Sequence, residues 1–507
     1  MSTRQNTDYG YDIQIKNISI IGGGTAGWIT ALLVKEYYPF FNITLIESED
    51  IGILGAGEGT TPQFVTLLDN VRIPFSDLVK NCKATLKQGI EFTNWLGDNT
   101  SYFHAFDSVE EVLEFKGLFA TDCISKGKNL DTLNLPSKLC KDNKVCFSKN
   151  QKYTVHDPIL EFDPHGAWAV HFDARLLASY LREVAESRGI VRIEGKVVDL
   201  SNTNNGDINS ITLDDNTKIK TDFVFDCTGF ARLVIGKHFK SKWVCYKDYL
   251  PLDSAIPFFI DHNGDTSPQT EAIAMDAGWI WKIPVRDRYG CGYVFDSTYI
   301  SAEDALKEAE AYFGQQLSSP KVFSFSPGSY EDTLINNCIA IGLSQSFVEP
   351  LEATSIWASY TNLLDFLLAD GFHITSATFK KKFNQRCLNR NNEIVEFLNL
   401  HYTTTRNDTP FWRDLPNKIK KHSGVSEVID LLDENQWANI DRTMFTNESW
   451  LQVANGLKMI DKQSYASIMK RYDTSKLDNA LSDLISKQTT IINKSMTHQK
   501  FLEYLEK

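Results

Sequence analysis

The chain has 507 residues, of which 42% are hydrophobic and 12% aromatic, and it carries 52 Lys plus Arg against 65 Asp plus Glu for a net charge of −13. Length alone allows about three domains of roughly 150 residues, and a chain of this size buries a core without a metal or disulfide staple. The apolar and aromatic load excludes general disorder, and the acidic balance argues against a protein that coats nucleic-acid phosphates.

The nine cysteines (82, 123, 140, 146, 227, 245, 291, 338 and 387) are odd in number and form no CxxC. They read as reduced thiols of an intracellular protein, not as a disulfide framework or a structural zinc site. The first 17 residues hold no apolar signal region, and no apolar run approaches the roughly 20 residues of a membrane span. The expectation is a soluble, cytoplasmic protein without a metal site.

In chain order, residues 1–16 are polar, and Ile18–Ile21 reads as a short buried strand. Residues 28–38 have helical apolar spacing, and 43–47 form a second strand, which completes a βαβ unit. A helix is expected over 77–87, with Leu78, Val79, Cys82 and Leu86 on one face, then a strand over 89–95. An amphipathic helix follows over 170–187, then short strands around a polar turn at 204–207. Residues 222–230 read as a buried strand ending in a glycine turn. The stretch 240–330 is rich in short strands and aromatics, and 338–343 is another buried strand. Helices are expected over 353–371 and 377–400 and through much of the remainder. No repeats, low-complexity tracts or long linkers interrupt the chain.

Between the first strand and helix lies Gly22-Gly23-Gly24-Thr25-Ala26-Gly27, a GxGxxG. Gly22 permits the tight turn, Gly24 admits a pyrophosphate to the backbone, and Gly27 lets helix and strand pack closely. The helix start, with Thr25 and Ala26, offers free N–H groups to the anion. Glu47 ends the second strand, where an acid accepts hydrogen bonds from ribose hydroxyls. A second glycine turn, Asp226-Cys227-Thr228-Gly229, closes a later strand and favours FAD over NAD. No second GxGxxG is present, so a built-in NAD(P)H unit is not expected.

Four further motifs follow, of which the WxWxIP run at 279–284 is the most specific. They are Gly55-Ala56-Gly57-Glu58-Gly59-Thr60-Thr61-Pro62; Ala84-Thr85-Leu86-Lys87-Gln88-Gly89-Ile90, continuing to Trp95; Trp279-Ile280-Trp281-Lys282-Ile283-Pro284; and Ser346-Phe347-Val348-Glu349-Pro350-Leu351-Glu352-Ala353-Thr354-Ser355. With the opening glycine loop, this set resembles the flavin-dependent halogenases of the tryptophan-halogenase type, from about residue 17 to about 460. The resemblance implies an α/β (α+β) flavoprotein fold: an FAD-binding GxGxxG Rossmann-like body of the aromatic-hydroxylase type, a mixed β-sheet and a helical C-terminal third. The domains expected are a discontinuous body over 14–360, including the sheet regions at about 90–170 and 240–330, and a helical subdomain over 361–507 packing on the substrate site.

The resemblance also implies a two-component oxidoreductase. A separate flavin reductase, in transient and non-specific contact, supplies reduced FAD. Reduced FAD and oxygen then turn a bound halide into hypohalous acid, which reaches a lysine beside an electron-rich aromatic substrate. Lys87 aligns with that lysine, which holds the oxidant by a hydrogen bond or as a haloamine. Glu352 aligns with the glutamate that stabilises the cationic ring and takes its proton. Gly57, Glu58, Thr60, Asp226, Gly229 and Gly342 join Gly22, Gly24, Thr25, Ala26, Gly27 and Glu47 around the cofactor. Thr354 and Ser355 fall where backbone N–H groups hold the halide. His104, Phe106 and Pro350 line the substrate, and Trp279, Trp281, Ile283 and Pro284 wall it off from the flavin.

Read without the resemblance, Lys87 is one of three lysines (80, 83, 87) on a solvated helix face, Glu352 is a helix-start acid, and His104 is a core histidine. Glu349 is the nearest rival to Glu352. Two departures stand out. Tryptophan-specific members carry Gly at the position of Ser355. They also grip free tryptophan with a Tyr-Tyr, Glu and Phe-Trp set that 425–450 lacks, although Trp437 and Trp450 are present. The substrate expected is therefore indole-like or phenolic, not free tryptophan. His401-Tyr402 and Thr409-Pro410-Phe411-Trp412 also match family stretches and are read as packing. The competing readings are a flavin monooxygenase that hydroxylates an aromatic ring and a catalytically silent flavin-binding protein.

Overall fold

The computed structural model describes residues 15–52, 58–106, 117–149, 162–264, 266–318, 321–373 and 376–507. A six-stranded sheet runs Val191–Glu194, Asn42–Glu47, Asn17–Ile21, Phe223–Asp226, Cys338–Ala340, Leu334–Ile335. Its first four pairings are parallel and the last is antiparallel. Asn17–Ile21, the helix Thr25–Tyr37 and Asn42–Glu47 form the βαβ unit read from the sequence. The central strands are apolar on both faces: one packs on the helices Thr25–Tyr37, Ala174–Ser187 and Thr354–Leu368, the other on the strand Ile208–Leu213 and the turn at Val234.

A seven-stranded mixed sheet runs Phe323–Ser324, Ser254–Asp261, Arg288–Phe295, Gly278–Pro284, Thr270–Ala274, Gly89–Thr93, Ser101–Ala105. Alternation along Gly278–Pro284 sends Trp279 towards the C-terminal helices and Ile280 towards the helix Ala302–Phe313. Trp281 lies over Gly292, its register partner; a Cβ there would sit 2.1 Å from the indole. The C-terminal third is helical: Thr354–Leu368, Ala377–His401, Pro410–Lys418, Ser423–Asp433, Asn447–Gly456, Lys462–Met469, Thr474–Lys494 and His498–Leu505. All nine cysteines are free thiols. Among the described residues, no helix is long and apolar enough to cross a membrane.

Two helices differ from the sequence reading. The helix expected over 77–87 is Phe75–Cys82, stopped by Lys83 in the left-handed conformation at φ +52°. The chain beyond it becomes the strand Thr85–Lys87, so Lys87 is on no helix face. The helix expected over 170–187 begins at Ala174. Asp173 caps it through the N–H groups of Arg175 and Leu176, and Ala169–Phe172 before it is a strand.

These corrections create a third, three-stranded sheet, ordered Glu58–Gly59, Ala169–Phe172, Thr85–Lys87, with every pairing antiparallel. It carries the chemistry described next.

Candidate active site

The dinucleotide loop has the spacing its glycines require. Gly22 has φ +114°, and a Cβ on it would lie 2.2 Å from the Cys227 carbonyl oxygen; one on Gly27 would lie 1.9 Å from the Gly22 oxygen. Gly24 differs, since nothing lies within 4 Å of its Cβ direction and it precedes a helix with no side-chain cap. That open space beside uncapped N–H groups fits a pyrophosphate, with Thr25 and Ala26 in the first turn. Gly23, given no role in the sequence reading, is as constrained as Gly22 and Gly27: a Cβ there would fall 1.4 Å from Glu47 Oε2. The Glu47 carboxylate, the candidate ribose ligand, also accepts from Arg192 Nε at 2.6 Å.

Two more glycine turns approach this loop. Gly229 (φ +61°) has no atom within 4 Å of its Cβ direction, and a Cβ on Gly342 (φ +72°) would lie 2.8 Å from the Ala26 methyl. Asp226, expected at the cofactor, is committed within its own turn. Its buried carboxylate accepts from Thr228 N and Oγ1 and from the Val234 and Ile235 N–H groups. Four donors occupy its lone pairs, so it holds the turn together and has none free for a dinucleotide. Gly57 lies outside the described residues. Glu58 is half-buried, and burial followed by the nearby Asp173 charge pushes its carboxyl up to about 7.

Among the described residues Lys87 is the one buried lysine, with 1% of its surface exposed. Its Nζ donates to the Thr60 carbonyl at 3.0 Å and lies 5.1 Å from the Phe106 ring centroid. Burial lowers its pKa to about 7, although the Glu352 charge pulls the other way. Exposed Lys80 and half-buried Lys83 share none of this. Thr60, expected at the cofactor, is committed here: its hydroxyl donates to Val170 O at 2.8 Å and accepts from Val170 N at 3.0 Å. Thr85 joins the lysine strand to the tryptophan wall by donating to Pro284 O at 2.6 Å. Having given its proton there, Thr85 accepts from His171 Nδ1, and His171 Nε2 accepts from Thr270.

Glu352 is gripped by two histidines. His104 Nδ1 lies 3.0 and 3.1 Å from its two oxygens, and His401 Nε2 lies 2.8 Å from Oε1. Burial holds His401 well below the usual imidazole pKa, so it donates as a neutral ring. His104 is buried among aromatics, as a core histidine would be, yet its Nε2 has no partner. His401 and Tyr402, read as packing, reach the site because they end the helix Ala377–His401. Tyr402 donates to Glu349 Oε1 at 2.6 Å. Burial pushes Glu349 up to about 8, while Tyr402 and the Trp279 indole pull it down. Glu349 is thus a neutral acid below that pH and contacts neither histidine pair member of Glu352.

Thr354 and Ser355 open the helix Thr354–Leu368 behind Ala353, which is left-handed at φ +55° and gives no side-chain cap. Their N–H groups are of the uncapped kind that receives an anion. Pro350 is exposed just before them, and its carbonyl accepts from Ala353 N. Trp279 and Trp281 stand 6.3 Å apart at 63°, with Ile283 and Pro284 buried beyond them. Trp437 packs on the chain at Gly117, and Trp450 packs on Phe397. Phe411 and Trp412 are core, as read.

A glycine-lined dinucleotide loop, a wall of tryptophans and a buried lysine facing a carboxylate define a flavin-dependent halogenase. The fold matches Xcc4156, a flavin-dependent halogenase from Xanthomonas campestris, with a TM-score of 0.87 at 27% identity over 96% of this chain and 98% of that one. It also matches BrvH, a flavin-dependent halogenase from Brevundimonas sp. BAL3, with a TM-score of 0.86 at 27% identity over 98% and 100%. Tryptophan 7-halogenase RebH of Lentzea aerocolonigenes is 31% identical over 441 residues, 82% of each chain. The tryptophan halogenase family model matches residues 17–473, and the chain belongs to that family. It is therefore an oxidoreductase that halogenates an aromatic substrate with oxygen, halide and FAD reduced by a separate flavin reductase.

Proposed function

We propose that this enzyme halogenates an indole-like or phenolic ring other than free tryptophan, with Lys87 presenting the halogen and Glu352 taking the ring proton. The observation that carries the reading is the buried Lys87 amine, fixed to the Thr60 carbonyl beside the Phe106 face, with Glu352 near enough to bias its charge. Bound reduced FAD, with oxygen, supplies the two-electron oxidation of halide to hypohalous acid. Gly24, with the first-turn N–H groups of Thr25 and Ala26, would receive its pyrophosphate in a loop shaped by Gly22 and Gly27, and Glu47 would receive a ribose hydroxyl. The Thr354 and Ser355 N–H groups hold the halide. Trp279, Trp281, Ile283 and Pro284 keep the flavin from the aromatic substrate.

Lys87 as an ammonium donates a proton towards the hypohalous oxygen. The oxygen–halogen bond breaks towards water, and the halogen joins the ring carbon. Glu352 takes the proton from that carbon, which restores the aromatic ring; the products are aryl halide and water. An amine with a pKa of about 7 holds both forms at neutral pH, so it gives up and regains this proton cheaply. His104 and His401 fix the carboxylate that receives the ring proton.

The substrate class is read from 425–450, and the contacts at 442–445 support it. Arg442 is engaged by Glu396 and Glu427. Glu393 Oε2 accepts from Thr443 N and Oγ1 and from Met444 N. Phe445 stacks on Phe397 at 3.8 Å. Arg442 and the Thr443 and Met444 amides are thus already taken by carboxylates of neighbouring helices, which disfavours their gripping an amino acid's carboxylate. Contact with the reductase is transient and non-specific, since reduced flavin diffuses between enzymes.

The test is incubation of purified protein, FAD, a flavin reductase, NADH and an indole with chloride, bromide or iodide, read by product mass. A halogen mass gain that disappears in Lys87→Ala is expected. Hydroxylated product independent of halide, or full halogenation by Lys87→Ala, would overturn the reading.

A further inference from the structure

The strand that carries Lys87 is held on one edge by Ala169–Phe172. On its other edge, Leu86 N donates to His498 Nε2 at 3.1 Å. His498 Nδ1 lies 3.0 Å from the Thr266 carbonyl. A carbonyl only accepts, so the proton is on Nδ1 and Nε2 offers its lone pair to Leu86. His498 and Leu86 are both fully buried, and Gln88 N, the next donor on that edge, goes to Pro268 O at 2.8 Å. Lys87 thus sits between two pinned peptides, one of them pinned by a side chain from the last helix.

That helix is itself fixed. His498 N donates to Asn143 O, and Val145 N to Met496 O. Phe501 stacks on Phe147 at 5.1 Å, and Glu506 receives both Nε and Nη2 of Arg286. Residue 498 also lies beyond the stretch 17–473 that matches the family.

We infer that His498 is a positioning residue for Lys87, acting as a neutral hydrogen-bond acceptor that sets the register of the lysine strand. The inference rests on the reading of Lys87 as the halogen-presenting group. Burial lowers the His498 pKa to about 4, with Arg286 and His262 pushing the same way and the Thr266 carbonyl opposing, so the acceptor form persists through neutral pH. Lys87 is faced by Glu352 and His171. None of these neighbours replaces the acceptor at Leu86.

Two variants separate the two hydrogen bonds. His498→Gln keeps an acceptor where Nε2 stands and loses the Nδ1 donor, whereas His498→Asn does the reverse. Because misplacing a reacting group by about 1 Å costs up to ~10²-fold in rate, His498→Asn should lower kcat roughly tenfold with KM for the aromatic unchanged. It should also shift the pH profile of kcat upward as water reaches Lys87. His498→Gln should keep the wild-type kcat and profile. A smaller folded fraction would scale kcat equally at every pH, so the profile distinguishes positioning from plain stability. Wild-type kcat in folded His498→Asn overturns the proposal. If only His498→Gln folds, a wild-type profile upholds the proposal, and a tenfold lower kcat or a shifted profile overturns it. Halogenation by Lys87→Ala would instead overturn the reading on which the proposal rests.

Discussion

Replacing Lys87 with Met should abolish halogenation and make the protein more stable, and the gain should depend on pH in a defined direction. The Lys87 pKa falls from 10.5 to about 7 on folding. At 1.36 kcal/mol per pH step, keeping this amine charged inside the protein costs about 5 kcal/mol. The sign follows from proton counting. Below pH 7 both folded and unfolded chains hold the proton, and the full cost is present. Between pH 7 and 10.5 only the unfolded chain holds it, so the cost fades as pH rises. Met fills a similar volume, pays no charge penalty and forfeits the bond to the Thr60 carbonyl, worth about 1–2 kcal/mol. The net gain is about 3 kcal/mol at pH 6 and close to zero at pH 9. With an unfolding entropy of about 2.1 cal/mol/K per residue, a chain of 507 residues should melt about 3 °C higher at pH 6. Scanning calorimetry of both proteins at pH 6 and pH 9 measures this. A Met variant that melts no higher at pH 6, or gains equally at both pH values, refutes the argument that Lys87 is a costly buried charge.

Two further outcomes are expected. The Glu349 carboxyl rises from 4.5 to about 8 on folding, so the folded state keeps a proton that the unfolded chain loses, and stability falls as pH climbs through that window. Glu349→Gln should therefore gain on wild type between pH 5 and pH 8.5 in thermal melts while still halogenating; a constant difference between the two would contradict a neutral Glu349. Ser355→Gly removes a half-buried side chain from the uncapped helix start, and in bromide–chloride competition its brominated fraction should rise severalfold. An unchanged product ratio by mass spectrometry would exclude Ser355 from the halide pocket.

The parts of the molecule readable in the sequence are those whose causes are local. Strand, glycine turn, helix, strand and acid from Ile18 to Glu47 lie within one βαβ unit, and the glycines stand where close approach excludes a Cβ. Gly23 was hidden because its constraint comes from the Glu47 side chain across the sheet. The run to Lys87 reads as helix because apolar spacing continues past Cys82. What breaks it is a left-handed lysine, with no glycine to mark the turn. Asp173 was a readable cap, but the strand before it forms only because Glu58–Gly59 and Thr85–Lys87 arrive from elsewhere. Asp226 looks like a cofactor ligand by its place in a glycine turn, and only the fold shows four donors consuming it. His401, Tyr402 and His498 reach the site by tertiary packing that no spacing rule encodes.

Thr60 has a consequence for how firmly the lysine is placed. Its N–H and hydroxyl are woven into Val170, and its carbonyl is the seat of the Lys87 ammonium. Thr60 directly follows the short strand Glu58–Gly59. Any backbone movement at 58–60 therefore moves the lysine's acceptor, with a single peptide unit as the linkage. A buried amine seated on a carbonyl of a neighbouring segment is placed as precisely as that segment is, whatever its own strand does.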